Sequence, residues 1–326
     1  MTLLNGERLP LVRRFNQGRL AAALNFPLAE TGASPRVLWL YNPHEAHLAD
    51  SVAHELLVYD VMDEYAAFPW FGPAVRASEA RLLKRADWVF AGTQALFAAK
   101  APQAEGRIEL VLSGVDEAHF RPRAASSPPE DLAPLRARYR RLIGYAGMID
   151  MRIDTGLIID GARRHPEWGW VLLGPTLGSL GELRAAANVH LLGQKAYAEL
   201  PAYYQAWDCA LVPFVDSPLT RHVNPTKMLE YAAAGLPILA RALPDVARFY
   251  AEGAFLYRTA EEFEAHLRQI LDGPEEVPGR RVVADAVAAS RRWLDGRSWD
   301  SIASAMIQRL GTLAAGRTMA VAAGRS

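Results

Sequence analysis

The sequence has 326 residues, of which 51% are hydrophobic, so it is long and apolar enough for two globular domains, each with its own core. Thirty-six basic residues balance thirty-six acidic ones, which excludes the strong overall charge that attracts nucleic acid or an anionic membrane. The single cysteine, Cys209, excludes an internal disulfide and a cysteine-based zinc cluster, and its apolar surroundings predict a buried structural thiol. No stretch resembles a membrane span or a signal peptide, so we expect a cytoplasmic protein.

Short apolar runs alternate with helical patterns along the chain, which indicates βα units and parallel sheets. The predicted strands are 37–41, 55–61, 88–92 and 108–114 in the first half, and 142–147, 169–174, 189–193, 209–214, 236–240 and 254–257 in the second. Residues 121–134, rich in Pro, Ser and charge, predict a linker. The tail from about 281 to 313 is helical by composition, with a break at WLDGRSWD.

These patterns predict an α/β protein with two domains built on parallel sheets. The predicted divisions are an N-terminal domain at 1–122, a linker at 123–140, a C-terminal domain at 141–280, and terminal helices at 281–326 that pack back toward the N-terminal domain.

Ligands of open parallel sheets bind at the carboxyl ends of the strands, so the loops that leave those strands are the places to look for a site. One such loop, GMIDMRID, runs from Gly147 to Asp154 and contains Arg152. Asp154 is predicted to cap the helix that follows. Arg152 therefore lies just before a helix N-terminus, where the partial positive charge disfavours a cation.

The stretch NPTKMLEYAAAGLP presents the same conflict. Asn224 is predicted to be the N-cap of a helix and Pro225 its first residue, with Gly235 just past the end. Lys227 then falls in the first turn, where a cation costs about 0.3 to 1 kcal/mol. A diphosphate held by Arg152 and Lys227 would resolve both conflicts. The alternative is that both side chains are ordinary surface charges.

Glu230 lies one helical turn after Lys227, on the same face. Its carboxylate could accept hydrogen bonds from a ribose diol while the lysine holds the adjacent phosphate. An i,i+3 ion pair between Lys227 and Glu230 on a solvated face is the alternative.

At these residues the sequence resembles the nucleotide-sugar-binding half of retaining glycosyltransferases with the GT-B fold, in which two Rossmann-like domains face each other across a cleft. The stretch NPTKMLEYAAAGLP is similar to the variant P-x-K-x-x-E-Y-x-A-x-G-x-P of bacterial polysaccharide-type enzymes, such as those that make teichuronic acid. The family's motif E-x7-E would place its first glutamate at His222, where this chain departs from the pattern. Residues 1–35 also lack the family's opening strand and glycine-rich loop, so we expect an incomplete N-terminal domain.

The resemblance runs from about residue 36 to 310 and implies the roles of further residues. By the match, Arg152 contacts the diphosphate, and Gly193, Gln194 and Lys195 lie where the base is read. Asp60 and Asp63 follow a strand of the N-terminal domain, where a carboxylate could orient the acceptor hydroxyl or steady positive charge at the anomeric carbon. The alternative is that Asp63 caps a turn and Asp60 bonds to backbone.

The resemblance implies transfer of a sugar from a nucleoside-diphosphate donor, UDP- or GDP-linked, to an acceptor hydroxyl with retention at the anomeric carbon. No cofactor and no metal is expected, and no plausible loop carries a D-x-D motif. The expected partners are the nucleotide sugar and a carbohydrate or lipid-linked acceptor, with no nucleic acid; a lipid-linked acceptor would bring the chain to the inner membrane surface.

A non-catalytic nucleotide-sugar-binding subunit and a sugar-nucleotide epimerase are the alternatives. A dehydrogenase is disfavoured because no G-x-G-x-x-G follows the first strand of either half.

Overall fold

The computed structural model describes residues 10–31, 36–122, 127–272 and 278–323. Within these ranges, strands and helices alternate as the sequence predicts, because apolar runs of four to six residues form buried strands and the longer amphipathic stretches form helices. The strands are β1 Val37–Leu40, β2 Leu56–Val61, β3 Trp88–Ala91, β4 Ile108–Leu110, β5 Arg141–Ala146, β6 Trp168–Leu173, β7 Val189–Gly193, β8 Cys209–Val212, β9 Ile238–Arg241 and β10 Phe255–Tyr257. Every strand predicted from the sequence is confirmed, with ends that differ by a few residues.

The helices pack between consecutive strands and at the ends of the chain. They are α1 Pro10–Thr31, α2 Leu48–Ser51, α3 Ala74–Arg85, α4 Gln94–Ala104, α5 Glu117–Phe120, α6 Ala133–Arg138, α7 Thr155–Arg164, α8 Gly181–Ala185, α9 Leu200–Gln205, α10 Lys227–Ala233, α11 Pro244–Phe249, α12 Ala260–Leu271, α13 Pro278–Ser290 and α14 Trp299–Ala323. Short 3-10 helices lie at Pro43–His47, Tyr65–Ala67, Tyr197–Glu199, Thr220–His222 and Arg291–Leu294.

The chain divides into two compact units: unit 1 comprises residues 1–112 and 303–326, and unit 2 comprises residues 113–302. Unit 1 has a four-stranded parallel sheet in the order β1-β2-β3-β4. One face of this sheet is covered by α14, since Leu310 packs on Val58 and Phe90, which alternate with residues of the opposite face. The described residues before β1 are helical.

Unit 2 has a six-stranded parallel sheet in the order β7-β6-β5-β8-β9-β10. This is the strand order of a Rossmann fold, in which the chain reverses its direction of winding between the first strand, here β5, and the fourth, here β8. The core is a single apolar cluster on both faces of the sheet, which includes Trp168, Trp170 and the fully buried Cys209. Burial raises the pKa of the Cys209 thiol, which suits the structural role predicted for it.

The unit boundaries differ from the domain limits proposed from the sequence. Residues 113–122 belong to unit 2, because Val115 donates its backbone N–H to the carbonyl of Arg297 and Phe120 stacks on Tyr204 with ring centroids 5.4 Å apart. The terminal helices are shared between the units, because α13 packs in unit 2 and most of α14 packs in unit 1. The predicted break in this tail is present, with Gly296 at a positive φ of 68°. Among the described residues, no helix has the length and apolar character needed to cross a membrane.

Candidate functional site

The candidate site lies at the carboxyl edge of the unit 2 sheet, where β5 and β8 are neighbours. This is the position at which the loops after two adjacent strands turn to opposite faces of the sheet and leave a crevice for a ligand. The loop after β5 runs from Gly147 to Asp154, and the loop after β8 runs from 213 to 226 and leads into α10. The two loops predicted from the sequence therefore lie next to each other at this edge of the sheet.

Backbone hydrogen bonds join these loops to each other. Asp154 donates its N–H to the carbonyl of Pro213 at 2.8 Å, and Val215 donates to the carbonyl of Arg152 at 2.8 Å. The loop after β5 is also tied to the loop after β6, since Leu177 donates to the carbonyl of Ile149 at 2.9 Å. Backbone polar groups that are paired in this way hold three loops in one arrangement before any ligand is bound.

Two glycines permit the loops after β5 and β6 to approach closely. Gly147 has a φ of 149° and Gly174 a φ of 138°, a region that favours glycine. A Cβ at Gly174 would lie 2.0 Å from the carbonyl oxygen of Gly147, so no larger residue fits there. A Cβ at Gly147 would lie 3.0 Å from Nζ of Lys227, which places the lysine directly over this backbone.

Lys227 is a half-buried cation among aromatic rings. Its Nζ lies 5.4 Å from the ring centroid of Tyr145 and 5.7 Å from that of Phe214. Burial lowers the pKa of the Lys227 ammonium; the negative charge of Glu230 opposes this shift, and the positive charge of Arg152 adds to it. Among the residues that the structure describes, none forms a hydrogen bond or ion pair with Nζ. An ammonium that is partly removed from water and lacks an anionic partner is a site where an anion would bind favourably.

Arg152 is already paired within its own loop. Its Nε donates to Oδ1 of Asp150 at 2.9 Å and its Nη2 to Oδ2 at 2.8 Å, a bidentate contact with a buried carboxylate. The helix that follows begins as predicted, because Asp154 Oδ1 accepts the N–H of Leu157 at 3.0 Å. Asp150 therefore already balances the charge of Arg152, so the unfavourable position of this cation at the helix N-terminus does not by itself require a bound anion.

The start of α10 also differs from the prediction. The helix begins at Lys227, with Thr226 rather than Asn224 in the N-cap position, and it has only seven residues. Asn224 is buried, and its Oδ1 accepts a hydrogen bond from the hydroxyl of Tyr250 at 2.8 Å, so it cannot cap the helix. The predicted end is confirmed, with Gly235 at a φ of 72°. A helix this short has few aligned peptide dipoles, so the charge of Lys227, rather than the helix terminus, dominates the electrostatics here.

Glu230 lies one turn further along α10 and is bound by a tyrosine. The hydroxyl of Tyr204 donates to Oε2 of Glu230 at 2.9 Å. Both Lys227 and Glu230 are described by the structure and they are not ion-paired, so the alternative of a simple i,i+3 pair is not realised. Burial raises the pKa of the Glu230 carboxyl. The carboxylate is thus positioned by Tyr204 on the side of α10 that carries Lys227.

The residues after β7 lie along the same edge of the sheet. Gly193 has a φ of 72°, and its carbonyl accepts the N–H of Gly174 at 2.8 Å, which connects it to the Gly147 region. Gln194 follows it and is exposed. Lys195 does not extend over the edge, because its Nζ binds Oδ2 of Asp131 at 2.6 Å.

His222, which replaces the first glutamate of the expected motif, stabilises its own loop. Its Nδ1 lies 2.9 Å from the carbonyl oxygen of Pro218. The neighbouring Arg221 is exposed and paired with Asp216, with Nε 2.6 Å from Oδ1. These contacts are local to the loop after β8.

The predicted acceptor-side carboxylates, Asp60 and Asp63, lie in unit 1, whereas the other predicted site residues lie in unit 2. Asp60 ends β2 and is 6% exposed; its Oδ2 accepts the indole N–H of Trp39 at 3.2 Å, so its partner is a side chain and not backbone. Burial raises the pKa of Asp60 to about 6. Asp63 is half-buried in the turn after β2. The pKa of Tyr65 is raised mainly by the burial of its ring and, as the next largest cause, by the negative charge of Asp63.

The raised pKa of Asp60 has a measurable consequence for stability. The folded pKa of about 6 lies above the ordinary value of 3.8, so the unfolded chain releases this proton first and stability falls as the pH rises from about 4 through 6. At pH 7 the buried carboxylate destabilises the fold by about 1 to 3 kcal/mol. Replacing Asp60 with Asn keeps an acceptor for Trp39, and should raise the free energy of urea unfolding by this amount at pH 7 but not at pH 4.

The exposed Asp160 supplies a matched control, since Asp160→Asn on the solvent side of α7 should leave stability within about 0.5 kcal/mol at both pH values. An equal effect of Asp60→Asn at pH 4 and pH 7 would contradict a raised pKa at this carboxyl.

Three groups at the site were not identified from the sequence. Asp150, which holds Arg152, stands two residues before it, and this D-x-R spacing is the only signal that could have indicated the pair. Tyr204 and Phe214 reach the site from α9 and from the loop after β8, and nothing in their sequence context distinguishes them from core aromatics. Among the described residues, no group of three or more His, Cys, Asp or Glu side chains could hold a metal ion.

Known proteins with similar sequences cover this part of the chain. Residues 154–308 match the model of a family described as glycosyl transferase-like. TuaH of Bacillus subtilis (strain 168), assigned as a glycosyltransferase of teichuronic acid biosynthesis, is 27% identical over 228 residues. That alignment covers 65% of this chain, and the chain spans about half, 56%, of the relative's length.

Solved structures resemble the whole described architecture. Sucrose-phosphate synthase from Thermosynechococcus elongatus superposes with a TM-score of 0.74 at 16% identity, covering 93% of this chain and 79% of that one. HepE of Anabaena, solved in complex with UDP, superposes with a TM-score of 0.68 at 17% identity, covering 90% of this chain and 82% of that one. Residues 154–308 are thus similar to glycosyl transferase-like domains, and the described part of the chain has an α/β fold with parallel sheets that matches these GT-B glycosyltransferase structures.

Proposed function

We propose that the chain is a glycosyltransferase that moves a sugar from a nucleoside-diphosphate donor to an acceptor hydroxyl in the synthesis of a bacterial surface polysaccharide. The observation that carries the proposal is the position of Lys227, a partly buried ammonium without an anionic partner among the described residues, at the point where β5 and β8 meet. The similarity to TuaH and to the UDP-bound HepE fold supports a nucleotide sugar as the anion.

The proposed reaction breaks the bond between the anomeric carbon and the donor diphosphate, and the bonding electrons leave with the diphosphate oxygen. Lys227 stabilises the negative charge that develops on this leaving group, and a cation held ready in a partly dry site is worth more than one in water. Arg152 supplies a second positive charge nearby, held in place by Asp150. Glu230, positioned by Tyr204, accepts hydrogen bonds from the ribose hydroxyls.

The remaining predicted residues take supporting roles in the proposal. Gly147 and Gly193 allow backbone to approach the ligand, Gln194 is exposed where the base would lie, and Asn224 fixes the loop that leads to Lys227 through its bond to Tyr250. Asp60 and Asp63 remain the proposed acceptor-side carboxylates of unit 1.

Nucleotide binding tests the proposal directly. Isothermal titration calorimetry with UDP and with GDP should show binding to the wild-type chain, weakened about 10- to 100-fold by Lys227→Met and by Glu230→Gln. The affinity should also fall as the pH is raised, because the ammonium with a lowered pKa loses its proton at a lower pH than an ordinary lysine. Lys227→Met should abolish this dependence.

Arg163→Ala is the matched control, because Arg163 is an exposed cation of the same unit, on the last turn of α7, and pairs only with Asp160 among the described residues. It should leave nucleotide affinity unchanged. Failure of the wild-type chain to bind either nucleotide would overturn the donor-site assignment.

The finer features of the proposal are retention at the anomeric carbon, independence of metal ions and a cytoplasmic location. The anomeric proton coupling of the product, measured by NMR, distinguishes retention from inversion. Activity that persists in EDTA would support a cation-based site, since Arg152 and Lys227 would then balance the leaving-group charge without a metal.

A further inference from the structure

Unit 1 carries a group of aromatic rings in the segment YAAFPWF, residues 65–71, which we name the aromatic loop; Trp70 is exposed, and Tyr65, Phe68 and Phe71 are half-buried. Trp70 is 59% exposed, and its ring centroid lies 4.8 Å from that of Phe68. Phe71 touches Phe68 edge-on, with centroids 6.1 Å apart. Exposed aromatic side chains grouped in this way mark a binding surface more often than scattered apolar residues do.

Ring contacts and an ion pair hold the aromatic loop in place. The ring of Phe71 stacks on His44 with centroids 4.9 Å apart and meets Tyr65 edge-on at 5.5 Å. Glu64, at the start of the loop, is joined to the buried Lys100, with Nζ 2.8 Å from Oε2. Phe71 and Glu64 therefore anchor the segment, while more than half of the Trp70 side chain stays exposed. A surface ordered in advance loses little conformational freedom when it binds.

The loop lies at the carboxyl edge of the unit 1 sheet, where ligands of parallel sheets bind. It follows β2, which ends with Asp60 and Val61. Tyr41 follows the neighbouring strand β1 and is 54% exposed. Partial burial raises the pKa of Tyr41, and the negative charge of Asp60 raises it further. Aromatic faces and a carboxylate thus lie on the same edge.

The negative charge of the aromatic loop and the residues just before it limits the class of ligand that can bind there. Residues 60–73 contain Asp60, Asp63 and Glu64 and no Lys or Arg. Nucleic acid and anionic membranes are recognised through basic side chains, so neither suits this surface. A neutral sugar suits it, because a pyranose offers an apolar face of C–H groups to an aromatic ring and hydroxyl donors to carboxylate oxygens.

We propose that the aromatic loop is a carbohydrate-binding surface, on which a neutral pyranose ring stacks against Trp70 and Phe68 while its hydroxyls are bound by the half-buried Asp63. This inference rests on the proposed function, in which the sugar belongs to the acceptor. It narrows the acceptor from a lipid or a carbohydrate to a glycan with a sugar ring next to the reacting hydroxyl.

Saturation-transfer difference NMR tests the proposal on the full chain. The probes are the methyl glycosides of glucose, galactose, mannose, N-acetylglucosamine and N-acetylgalactosamine, in both anomers. At least one glycoside should receive saturation at its ring C–H protons, and Trp70→Ala should weaken its binding about tenfold. Trp299→Ala is the control, because Trp299 is also exposed, at 48%, but lies in unit 2; it should change nothing.

Three results would overturn the proposal: no saturation of any of these glycosides by the wild-type chain, equal saturation by the Trp70→Ala variant, or sedimentation with phosphatidylcholine vesicles that requires Trp70. Calorimetry with UDP on the same samples separates this proposal from the donor site. Loss of sugar binding with intact UDP binding is the expected behaviour of Trp70→Ala, whereas absent UDP binding in the wild-type chain would count against the proposed function alone.

Discussion

Replacing Lys227 with methionine should lower the turnover number for sugar transfer about 100- to 1,000-fold, the usual effect of removing one preorganised group that stabilises developing negative charge. The ammonium lies over Gly147 and between the rings of Tyr145 and Phe214. Methionine fills the same space with an apolar chain, so the packing should persist. The variant should be at least as stable as the wild type, because burial disfavours the charged ammonium in the folded state and lowers its pKa.

The measurement is the rate of UDP release from a panel of UDP-sugars, with and without acceptor, for the donor that the wild-type chain uses best. Asp150→Asn gives a graded comparison, since it leaves both cations in place but weakens the hold on Arg152. We expect an effect about ten times smaller than that of Lys227→Met. Unchanged turnover in Lys227→Met would mean that this lysine does not face the leaving group.

The positions of the strands could be predicted from the sequence because they depend on short-range patterns. Runs such as LIGYA and WGWVLL are apolar on both faces, as a doubly covered parallel strand requires, and turn residues limit each run. The loops after β5 and β8 could be proposed as site-forming because alternating strands and helices predict a parallel sheet, whose ligands bind at the carboxyl ends of the strands.

The partners of the charged residues could not be predicted, because they depend on side-chain contacts that spacing does not fix. Asn224 carries a good N-cap sequence signal, but the hydroxyl of Tyr250, distant in sequence, takes its oxygen and the helix starts later. Arg152 and Lys227 have the same predicted role, yet of the two only Arg152 forms an ion pair with a carboxylate among the described residues. The anion site therefore stays a prediction for Lys227, and Arg152 would have to exchange Asp150 for the anion or contact both.

Replacing Gly174 with alanine should destabilise the protein by about 3 to 5 kcal/mol, the largest stability effect we expect from a single methyl group near the site. The new Cβ would lie 2.0 Å from the carbonyl oxygen of Gly147, and backbone cannot yield as a flexible side chain does. Its φ of 138° adds strain of about 1 to 3 kcal/mol for any residue other than glycine. Urea unfolding followed by circular dichroism measures the change.

The variant Gly178→Ala separates the effect of backbone strain from the effect of steric overlap. Gly178 also has a positive φ, 100°, in the loop after β6, but a Cβ there meets no atom within 4 Å. The control should therefore lose only the strain, about 1 to 3 kcal/mol, and should bind UDP as the wild type does. In Gly174→Ala the loop from Gly147 must move, and it lies against Lys227, so nucleotide affinity should fall together with stability. Equal destabilisation of the two variants would show that the loops after β5 and β6 are not held in contact, and would remove the physical basis for a preformed site around Lys227.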